Sequence, residues 1–379
     1  MAKYKLGDIC EIVSGSTPKT SIEEYWDGDI KWITPAEIND DTYIVTDSVR
    51  KITDLGAKKT GLSPFPEGTV ILSSRAPIGK VAIAGCAMCC NQGFKNLICS
   101  EKILNKYLYW FLKGNTSFLN SLGRGATFKE ISKSIVSQIE INVPEIEYQK
   151  EAADILEKVS EVIYLRKQEL SALDNLIKAR FVEMFGDPTT NPKGYPVKVL
   201  SEIAEYWNGL TYKPEDVSDE GIIVLRSSNI QNATLDFADI VRVSCKIGDK
   251  KYVQDNDILM CSRNGSARLV GKVALIKDVD EAMSFGAFMM IIRSAYYSYL
   301  ITYFQMPAFR MQIATGATTT INQITGRMLD AVKLPVPDAD TINQFANFVH
   351  QVDKSKVAVQ KALDETQMLF DSLMQEYFN

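Results

Sequence analysis

The chain has 379 residues, enough for two domains of about 100–200 residues each, and its 46% hydrophobic and 23% charged residues are typical of a globular protein. This composition excludes a mostly disordered chain, and the lack of an apolar run of about 18 residues excludes a membrane-spanning helix. The net charge of −5, taken alone, argues against a nucleic-acid partner. Because the first residues contain no apolar signal segment, we expect a cytoplasmic protein.

Short β-rich runs separated by turn residues fill the first 143 positions. We predict strands in GTVILSS (68–74) and GKVAIAG (79–85) and a helix in KYLYWFLKG (106–114). The same texture returns after residue 188, in DILMCS, GKVALIK and FMMIIRS. The sequence therefore predicts an α+β protein with two mixed α/β domains, each built on curled antiparallel sheets.

A long helix is predicted after Pro144 and another after Pro337, because apolar residues recur there at alternating spacings of four and three. Each helix spans about 40 residues, or about 60 Å, so its apolar stripe is too long to be buried in one domain. We predict that the two helices form an antiparallel coiled coil, with Arg166, Arg180 and Lys356 as polar positions that set its register; docking of each helix on another protein is the alternative. The predicted seam residues are Leu156, Val159, Ile163, Leu170, Leu173, Ile177, Val352, Val359, Leu363, Phe370 and Leu373.

The chain is one unit of about 190 residues used twice. Residues 5–19 match residues 199–213 at a constant offset of 194, and residues 72–83 match residues 260–275 with four residues inserted in the second copy. Such a unit is too long for a solenoid repeat, which runs at about 20–50 residues. The duplication predicts four segments: a first globular domain (1–143), a central helix (144–187), a second globular domain (188–336) and a C-terminal helix (337–379).

The acidic charge of the chain is concentrated in the two predicted helices. Each helical segment carries a net charge of −4, whereas the globular segments carry +2 and +1. Since a Debye length of about 10 Å isolates surfaces that lie further apart, a locally basic face on each globular domain is compatible with an acidic chain.

Histidine and cysteine are too sparse for most catalytic or metal centres. His350 is the one histidine in the sequence, and a single imidazole cannot build a multi-histidine site. The seven cysteines are an odd number, which favours free thiols over a disulfide framework. Cys86 and Cys89 form a CxxC spacing, but without a second pair at zinc spacing they are better interpreted as small core residues, so we predict no metal site.

The sequence lacks the common catalytic motifs. It contains no GxxxxGK[ST], no GxSxG, no HExxH and no Asn/Asp-Pro-Pro-aromatic tetrad of the kind that amino-methyltransferases use. We therefore predict a binding protein without catalytic residues.

Basic and hydroxyl residues in glycine-rich turns of both copies are the candidate DNA contacts. Such side chains suit phosphate and base-edge contacts, although ordinary structural turns with surface cations are an equally good interpretation. The candidates are Lys19, Arg75, Lys80, Arg124, Thr127, Lys129, Lys213, Arg263, Arg268, Lys272, Thr318 and Thr319.

The layout resembles the specificity subunit of type I restriction-modification systems. The resemblance rests on the order and duplication of LGDICEIVSGSTPK (6–19), SSRAPIGKVAI (73–83), NQGFKNL (91–97), GRGATFKEIS (123–132), INVPEIEYQKEAADIL (141–156) and FGDP (185–188). The second copy departs from this pattern, because it has MSFGAFMM where the NQGFK block is expected. This departure weakens the transfer of individual residue roles in that segment.

The resemblance implies two pseudo-symmetric target-recognition domains, each reading one half of a split, asymmetric site in double-stranded DNA. It implies that the coiled coil sets the spacer between the two half-sites. It also implies two modification subunits that carry S-adenosylmethionine and methylate adenine, and restriction subunits that use ATP and Mg²⁺ to translocate and cleave DNA. Under this resemblance the specificity chain has no cofactor or catalytic residue of its own.

Two other functions stay open on the residues alone. One is a methyltransferase or nuclease with an unrecognised site, which would bind S-adenosylmethionine as the isolated chain. The other is a coiled-coil scaffold whose globular domains bind proteins and read no DNA.

Overall fold

The structure is a computed structural model that describes residues 2–125, 129–314 and 322–378. The chain divides into two compact units. Unit 1 comprises Met1–Gln168 and Val359–Asn379, and unit 2 comprises Glu169–Ala358. Each unit therefore contains one globular region together with a part of each long helix.

Short strands make up most of the regular structure of unit 1. They are β1 (Ala2–Lys5), β2 (Cys10–Ser14), β3 (Trp26–Ile33), β4 (Ile44–Val45), β5 (Arg50–Ile52), β6 (Val70–Leu72), β7 (Val81–Ala84), β8 (Cys89–Cys90), β9 (Lys95–Cys99) and β10 (Glu140–Val143). The helices are α1 (Leu6–Ile9), α2 (Asp54–Thr60), α3 (Asn105–Gly114), α4 (Thr116–Leu122), α5 (Lys133–Ser137) and the long α6 (Ile146–Phe185), whose second half belongs to unit 2. Short 3-10 helices occur at Glu23–Tyr25 and Pro35–Glu37.

Two sheets and one strand pair organise unit 1. Their strand orders are β2-β9-β6-β7-β4, β5-β3-β8 and β1-β10. Most neighbours are antiparallel, but β3 pairs with β8 and β4 pairs with β7 in parallel. The expectation of antiparallel sheets is therefore correct for most pairs and wrong for these two, because a sequence run predicts a strand without indicating the direction of its neighbour.

Helix α3 covers the larger sheet and forms much of the core of unit 1. Tyr107, Leu108 and Leu112 are fully buried and belong to one apolar cluster with Leu72 and Val81 of the sheet. All residues from Tyr107 to Leu112 are buried, because other elements cover the face of α3 that does not contact the sheet. The apolar run that predicts this helix therefore also supplies the centre of the core.

Unit 2 repeats the strand-rich texture. Its strands are β11 (Val197–Val199), β12 (Glu205–Asn208), β13 (Val217–Ser218), β14 (Ile222–Leu225), β15 (Ile230–Gln231), β16 (Thr234–Leu235), β17 (Arg242–Val243), β18 (Ile258–Cys261), β19 (Val273–Leu275), β20 (Met283–Phe285), β21 (Met289–Arg293) and β22 (Lys333–Pro335). The helices are α7 (Tyr297–Tyr303), α8 (Pro307–Ala314), α9 (Gly326–Asp330) and the long α10 (Ala339–Phe378), whose second half belongs to unit 1. Short 3-10 helices occur at Leu200–Glu202, Pro214–Asp216, Ser227–Asn229, Asp249–Lys251 and Ala267–Leu269.

The sheets of unit 2 follow the plan of unit 1. Their orders are β12-β21-β18-β19 and β13-β17-β14-β20, with the additional pairs β11-β22 and β15-β16. Strands β14 and β20 are parallel, which again departs from the expected antiparallel pairing. Helix α7 packs Tyr299, Leu300 and Tyr303 into one cluster with Ile258 and Ile292 of the first sheet.

In unit 1, the first part of α6 lies antiparallel to the last part of α10. The rings of Tyr148 and Tyr377 are 5.9 Å apart near one end of this helix pair. Further along α6, Arg166 donates hydrogen bonds to the carbonyl of Ala362 and to the hydroxyl of Thr366. As the residue number rises along α6, the residue number of its partner in α10 falls, as in an antiparallel pair. Arg166 contributes a polar contact to this pair.

Unit 1 also buries the end of α10 against its globular region. The ring of Phe370 lies 5.7 Å from that of Trp110, and the ring of Phe378 lies 4.9 Å from that of Tyr107. Aromatic pairs at these distances contribute about 1 kcal/mol each beyond the area that they bury.

In unit 2, the second part of α6 lies antiparallel to the first part of α10. Lys356 forms an ion pair of 2.5 Å with Asp174, and the ring of Phe345 lies 5.6 Å from that of Phe181. The Phe181 ring also stacks on Tyr299 of α7 at 5.0 Å. The helix pair is therefore fastened to the core of unit 2 by aromatic contacts.

All side chains predicted for the coiled-coil seam are buried or half-buried. Those that are buried are Leu156, Ile163 and Val352. Those that are half-buried are Val159, Leu170, Leu173, Ile177, Val359, Leu363, Phe370 and Leu373. Their assignment to individual seam positions stays a prediction.

The fold as a whole confirms the predicted class. Two similar α+β regions are combined with two antiparallel helices of 40 residues each. Within the described residues, no helix is both long enough and apolar enough to cross a membrane. The division into four segments at residues 143, 187 and 336 stays a prediction.

Candidate nucleic-acid interface

The same β-hairpin occurs in each unit. It joins β6 to β7 in unit 1 and β18 to β19 in unit 2. Just beyond the paired strands, Ser73 N donates to Lys80 O at 2.9 Å, and Cys261 N donates to Lys272 O at 2.8 Å. The repeat that the sequence predicts is thus present in the hydrogen bonds, and the four additional residues of the second copy lie in its turn.

Each hairpin turn contains a glycine that no other residue replaces without strain. Gly79 has a φ of 91° and Gly271 a φ of 76°, which side chains with a Cβ rarely adopt. A Cβ on Gly79 would in addition lie 2.9 Å from Cγ2 of Thr116. These glycines fix the turns that carry Arg75 and Arg263.

Lys80 and Lys272 fasten the hairpins to a neighbouring 3-10 turn. Lys80 Nζ donates to the carbonyl oxygens of Pro35 at 2.9 Å and Ile38 at 2.6 Å. Lys272 Nζ donates to the carbonyl of Ile230. Both ammonium groups therefore have a structural role inside their domain, and their contact with DNA stays a prediction.

Directly after β2, the chain of unit 1 passes very close to the end of β8. Directly after β12, the chain of unit 2 passes equally close to the end of β20. A Cβ on Gly15 would lie 2.2 Å from the carbonyl oxygen of Cys90, and one on Gly209 would lie 2.1 Å from that of Phe285. Only glycine permits this approach, which explains why the repeat keeps a glycine at both positions.

The segment after Cys90 in unit 1 and the segment after Phe285 in unit 2 make the same backbone contact with their hairpins. Ser74 N donates to the carbonyl of Gly93 at 2.7 Å, and Ser262 N donates to that of Phe288 at 2.9 Å. GAFMM of the second copy therefore stands where NQGFK stands in the first. The departure found in the sequence is a change of side chains on a shared backbone, with phenylalanine in place of glycine.

Unit 1 has a charge cluster around this segment. Arg75 Nε donates to Oε2 of Glu130 at 3.0 Å, and Lys95 Nζ lies 3.3 Å from Oε1 of the same carboxylate. Lys95 is buried, so Glu130 is the counter-ion that makes its burial tolerable. Arg75 is thereby partly charge-balanced within its own domain.

In unit 2, an amide takes the place of the carboxylate of this cluster. Arg75 forms an isolated β-bridge with Glu130, and Arg263 forms the same bridge with Gln323, so an uncharged amide replaces the carboxylate. Within residues 2–125, 129–314 and 322–378, no carboxylate lies within ion-pair distance of Arg263. Its guanidinium instead lies over the Phe288 ring, 5.4 Å from the ring centroid.

An open groove of about 940 Å³ lies next to this pair in unit 2. Arg263 and Phe288 line it, and Phe288 is 59% exposed although it is a large apolar residue. Arg226 lines it as well and forms an ion pair of 2.8 Å with Asp239. The groove thus combines cationic, amide, hydroxyl and aromatic groups, the mixture that contacts phosphates and base edges.

Two amides shape the loop that carries Arg263. Asn264 Nδ2 donates to Oγ of Ser227 at 3.1 Å, and Asn322 Nδ2 donates to the carbonyl of Gly265 at 3.2 Å. No sequence pattern pointed to the other groove residues Arg226, Asn264, Phe288 and Asn322. An alignment of GAFMM with NQGFK would have found Phe288, since it places an aromatic residue opposite a turn glycine.

The remaining candidate contacts are exposed or lie outside the described residues. The exposed ones are Lys19, Arg124, Lys129, Lys213 and Arg268. Thr127, Thr318 and Thr319 lie outside the described residues. Nothing in the geometry assigns any of these side chains to a DNA contact, so they stay predictions.

The CxxC thiols are engaged in local contacts. Cys86 Sγ lies 3.2 Å from Lys31 Nζ and 3.3 Å from the carbonyl oxygen of Thr46. Cys89 is buried, which raises the pKa of its thiol to about 11 and disfavours the thiolate that a metal needs. Across the part of the chain that the structure describes, no group of three or more His, Cys, Asp or Glu side chains is arranged to hold a metal ion.

Comparison with known proteins assigns this architecture to one family. The family described as "Type I restriction modification DNA specificity domain" matches residues 1–175 and again residues 192–366. The MjaIX specificity subunit of a type I restriction enzyme from Methanocaldococcus jannaschii is 37% identical over 223 residues, which cover 54% of this chain and 52% of that relative. The chain thus matches about half the length of this relative.

Two solved structures share the fold over the whole chain. One is the S subunit of a type I restriction-modification system from M. genitalium, with a TM-score of 0.59, 13% identity and coverage of 100% of this chain and 96% of that one. The other comes from work on complex assembly and conformational transition of the type I R-M system, with a TM-score of 0.59, 17% identity and coverage of 99% and 97%. Since the family match repeats along the chain and spans most of it, the protein belongs to the type I restriction-modification DNA specificity domain family.

Proposed function

We propose that this chain is the non-catalytic, sequence-specific DNA-binding subunit of a type I restriction-modification complex. Each globular domain reads one half of a bipartite, asymmetric target. The observation that carries the proposal is that Arg75 and Arg263 stand at equivalent positions of two equivalent hairpins but have different neighbours. A repeated scaffold with different groove chemistry suits two half-sites of different sequence.

The two long helices set the distance between the half-sites in this proposal. Each has 40 residues, which corresponds to about 60 Å of helix. Packing of α6 against α10 makes each helix stiffer than a flexible linker, so the unread spacer has a defined length.

The helices also offer apolar surface for partner subunits. In unit 1, Val162 and Leu165 of α6 and Met368 and Leu369 of α10 are exposed, with Met368 at 64%. Exposed apolar residues on a helix pair favour further helical partners over solvent. We propose that two modification subunits and the restriction subunits assemble on the chain, in the cytoplasm.

The chemistry resides in those partners. S-adenosylmethionine for adenine methylation, and ATP with Mg²⁺ for translocation and cleavage, are assigned to the modification and restriction subunits. The present chain contributes binding groups, and the predicted segments 1–143 and 188–336 are the two target-recognition domains.

Mapping of methylated adenines tests the proposal. DNA is isolated from cells that express the chain together with its modification subunits, and from cells that express the modification subunits alone. We expect a split motif with a spacer of constant length that appears only with the chain. Methylation at the same sites without the chain, or no specific methylation with it, contradicts a role in target recognition.

A further inference from the structure

We infer that Arg263 and Phe288 together read a guanine and an adjoining thymine in the half-site bound by the second domain. The inference rests on the proposed function and identifies which groups of the unit 2 groove select bases. The geometry around the two side chains carries it.

Phe288 is held at the groove by its backbone. Its carbonyl oxygen accepts hydrogen bonds from Ser262 N at 2.9 Å, Arg263 N at 3.1 Å and Ser262 Oγ at 2.9 Å. These three hydrogen bonds hold the backbone of Phe288 against that of Ser262 and Arg263, so the ring and the guanidinium project from one support. This part of the backbone is therefore already ordered before DNA binds, which lowers the entropy cost of binding.

A phenylalanine that is 59% exposed in an open groove calls for an apolar partner. On base edges in the major groove, the one apolar group is the 5-methyl of thymine. The Arg263 guanidinium occupies a position over the Phe288 ring, which leaves the ring edge for such a contact. Burying one methyl group there contributes about fourfold to affinity.

Arg263 has its hydrogen-bond donors available. Within residues 2–125, 129–314 and 322–378, its guanidinium has neither an ion-pair partner nor a hydrogen-bond acceptor, in contrast to Arg75 with Glu130. A guanidinium held in place by an aromatic face presents its N–H groups to the O6 and N7 acceptors of guanine. The guanidinium lies 5.4 Å from the ring centroid, and successive base pairs are about 3.4 Å apart. The two side chains are therefore close enough to contact adjacent base pairs.

Unit 1 reads by different chemistry at this position. Gly93 replaces the phenylalanine, and Arg75 is held by Glu130. We therefore expect the thymine-methyl contact in the half-site of the second domain and not at the corresponding position of the first.

Base analogues test the inference with the assembled complex of the full chain and its modification subunits. After the target motif has been mapped, each thymine of the second half-site is replaced in turn by uracil, which lacks the methyl. The guanine next to it is replaced by 7-deazaguanine, which lacks N7. Binding of the duplexes is measured by fluorescence anisotropy for the wild type and for the Phe288→Ala and Arg263→Ala variants.

We expect uracil in place of one thymine to weaken wild-type binding about fourfold. The Phe288→Ala variant should bind the uracil and the thymine duplexes equally well. We expect 7-deazaguanine at its neighbour to weaken the wild type about tenfold and Arg263→Ala far less. Phe237→Ala is the matched control, since Phe237 is 44% exposed in the same unit and does not line the groove; this variant should keep the full uracil effect.

The inference is overturned if the second half-site contains no adjoining thymine and guanine, or if uracil affects the wild type and Phe288→Ala equally. A phenylalanine that wedges between base pairs would give the latter result, because intercalation does not depend on the methyl. In both cases specific binding of the split target persists, so the proposed function stands. Absence of any specific target would remove both.

Discussion

The carboxylate of Glu130 lies 3.0 Å from Nε of Arg75, a residue 55 positions earlier in the chain. The same carboxylate is the counter-ion of buried Lys95. In the second copy these three positions hold an arginine, a glutamine and a methionine. The equivalent turns of the two domains are thus supported by an ion-paired cluster in the first domain and, in the second, by an arginine whose neighbours are uncharged.

Glu130→Gln should lower the free energy of unfolding by about 2 kcal/mol, because buried Lys95 loses its counter-ion. Chemical denaturation of the full chain measures this loss. The double variant Lys95→Met with Glu130→Gln carries the pair of the second copy and should recover most of it. If the double variant is less stable than Glu130→Gln alone, the ionic cluster does not explain the burial of Lys95.

Gly79→Ala should destabilise the chain by about 3 kcal/mol, since it combines a positive φ with a clash against Thr116. Gly61→Ala is the matched control, because Gly61 has a φ of 66° with open space around it and should cost about 1 kcal/mol. Thermal unfolding of both variants provides the comparison. Equal losses would show that the close approach to Thr116 has no energetic weight.

Arg124→Ala should reduce the slope of log K against log salt by about one if this exposed side chain contacts a phosphate. Arg75→Ala should reduce the slope by less, because Glu130 already balances part of its charge. Anisotropy titrations of the complex over a range of salt concentrations give the slopes. Lys361→Ala, on an acidic helix, is the control that should leave the slope unchanged, and an unchanged slope for Arg124→Ala would remove that residue from the interface.

Deletion of one heptad from α6 and of the facing heptad from α10 should shorten the spacer by about three base pairs. Seven helical residues span about 10.5 Å, and base pairs are about 3.4 Å apart. Methylation mapping measures the spacer and both half-sites in the same experiment. A constant spacer, or altered half-sites, would contradict a ruler function for the helices.

The sequence was most informative where local patterns decide the structure. The alternating four- and three-residue spacing predicts both long helices, and the apolar run around Tyr107 predicts α3, because helix formation depends on neighbours within one or two turns. The match between residues 72–83 and 260–275 predicts a repeated unit, and the structure shows it as a shared hairpin whose turn glycines have a positive φ.

The site was less predictable because its contacts join distant segments. Lys80 looks like a surface cation in the sequence, yet its ammonium group contacts the carbonyl of Ile38, 42 residues away. Phe288 looks like a strand residue, and its exposure beside Arg263 emerges only when the hairpin and the following segment are placed together. The parallel direction of β3 with β8 is likewise set by tertiary packing.

In the proposed function, each globular domain reads its own half-site. The most direct measurement replaces residues 1–143 by the corresponding domain of another family member and maps the methylated motif of the resulting complex. We predict that one half-site changes to that of the donor while the other half-site and the spacer remain. A motif that is unchanged, or that changes in both halves, would show that the two domains do not read the half-sites separately.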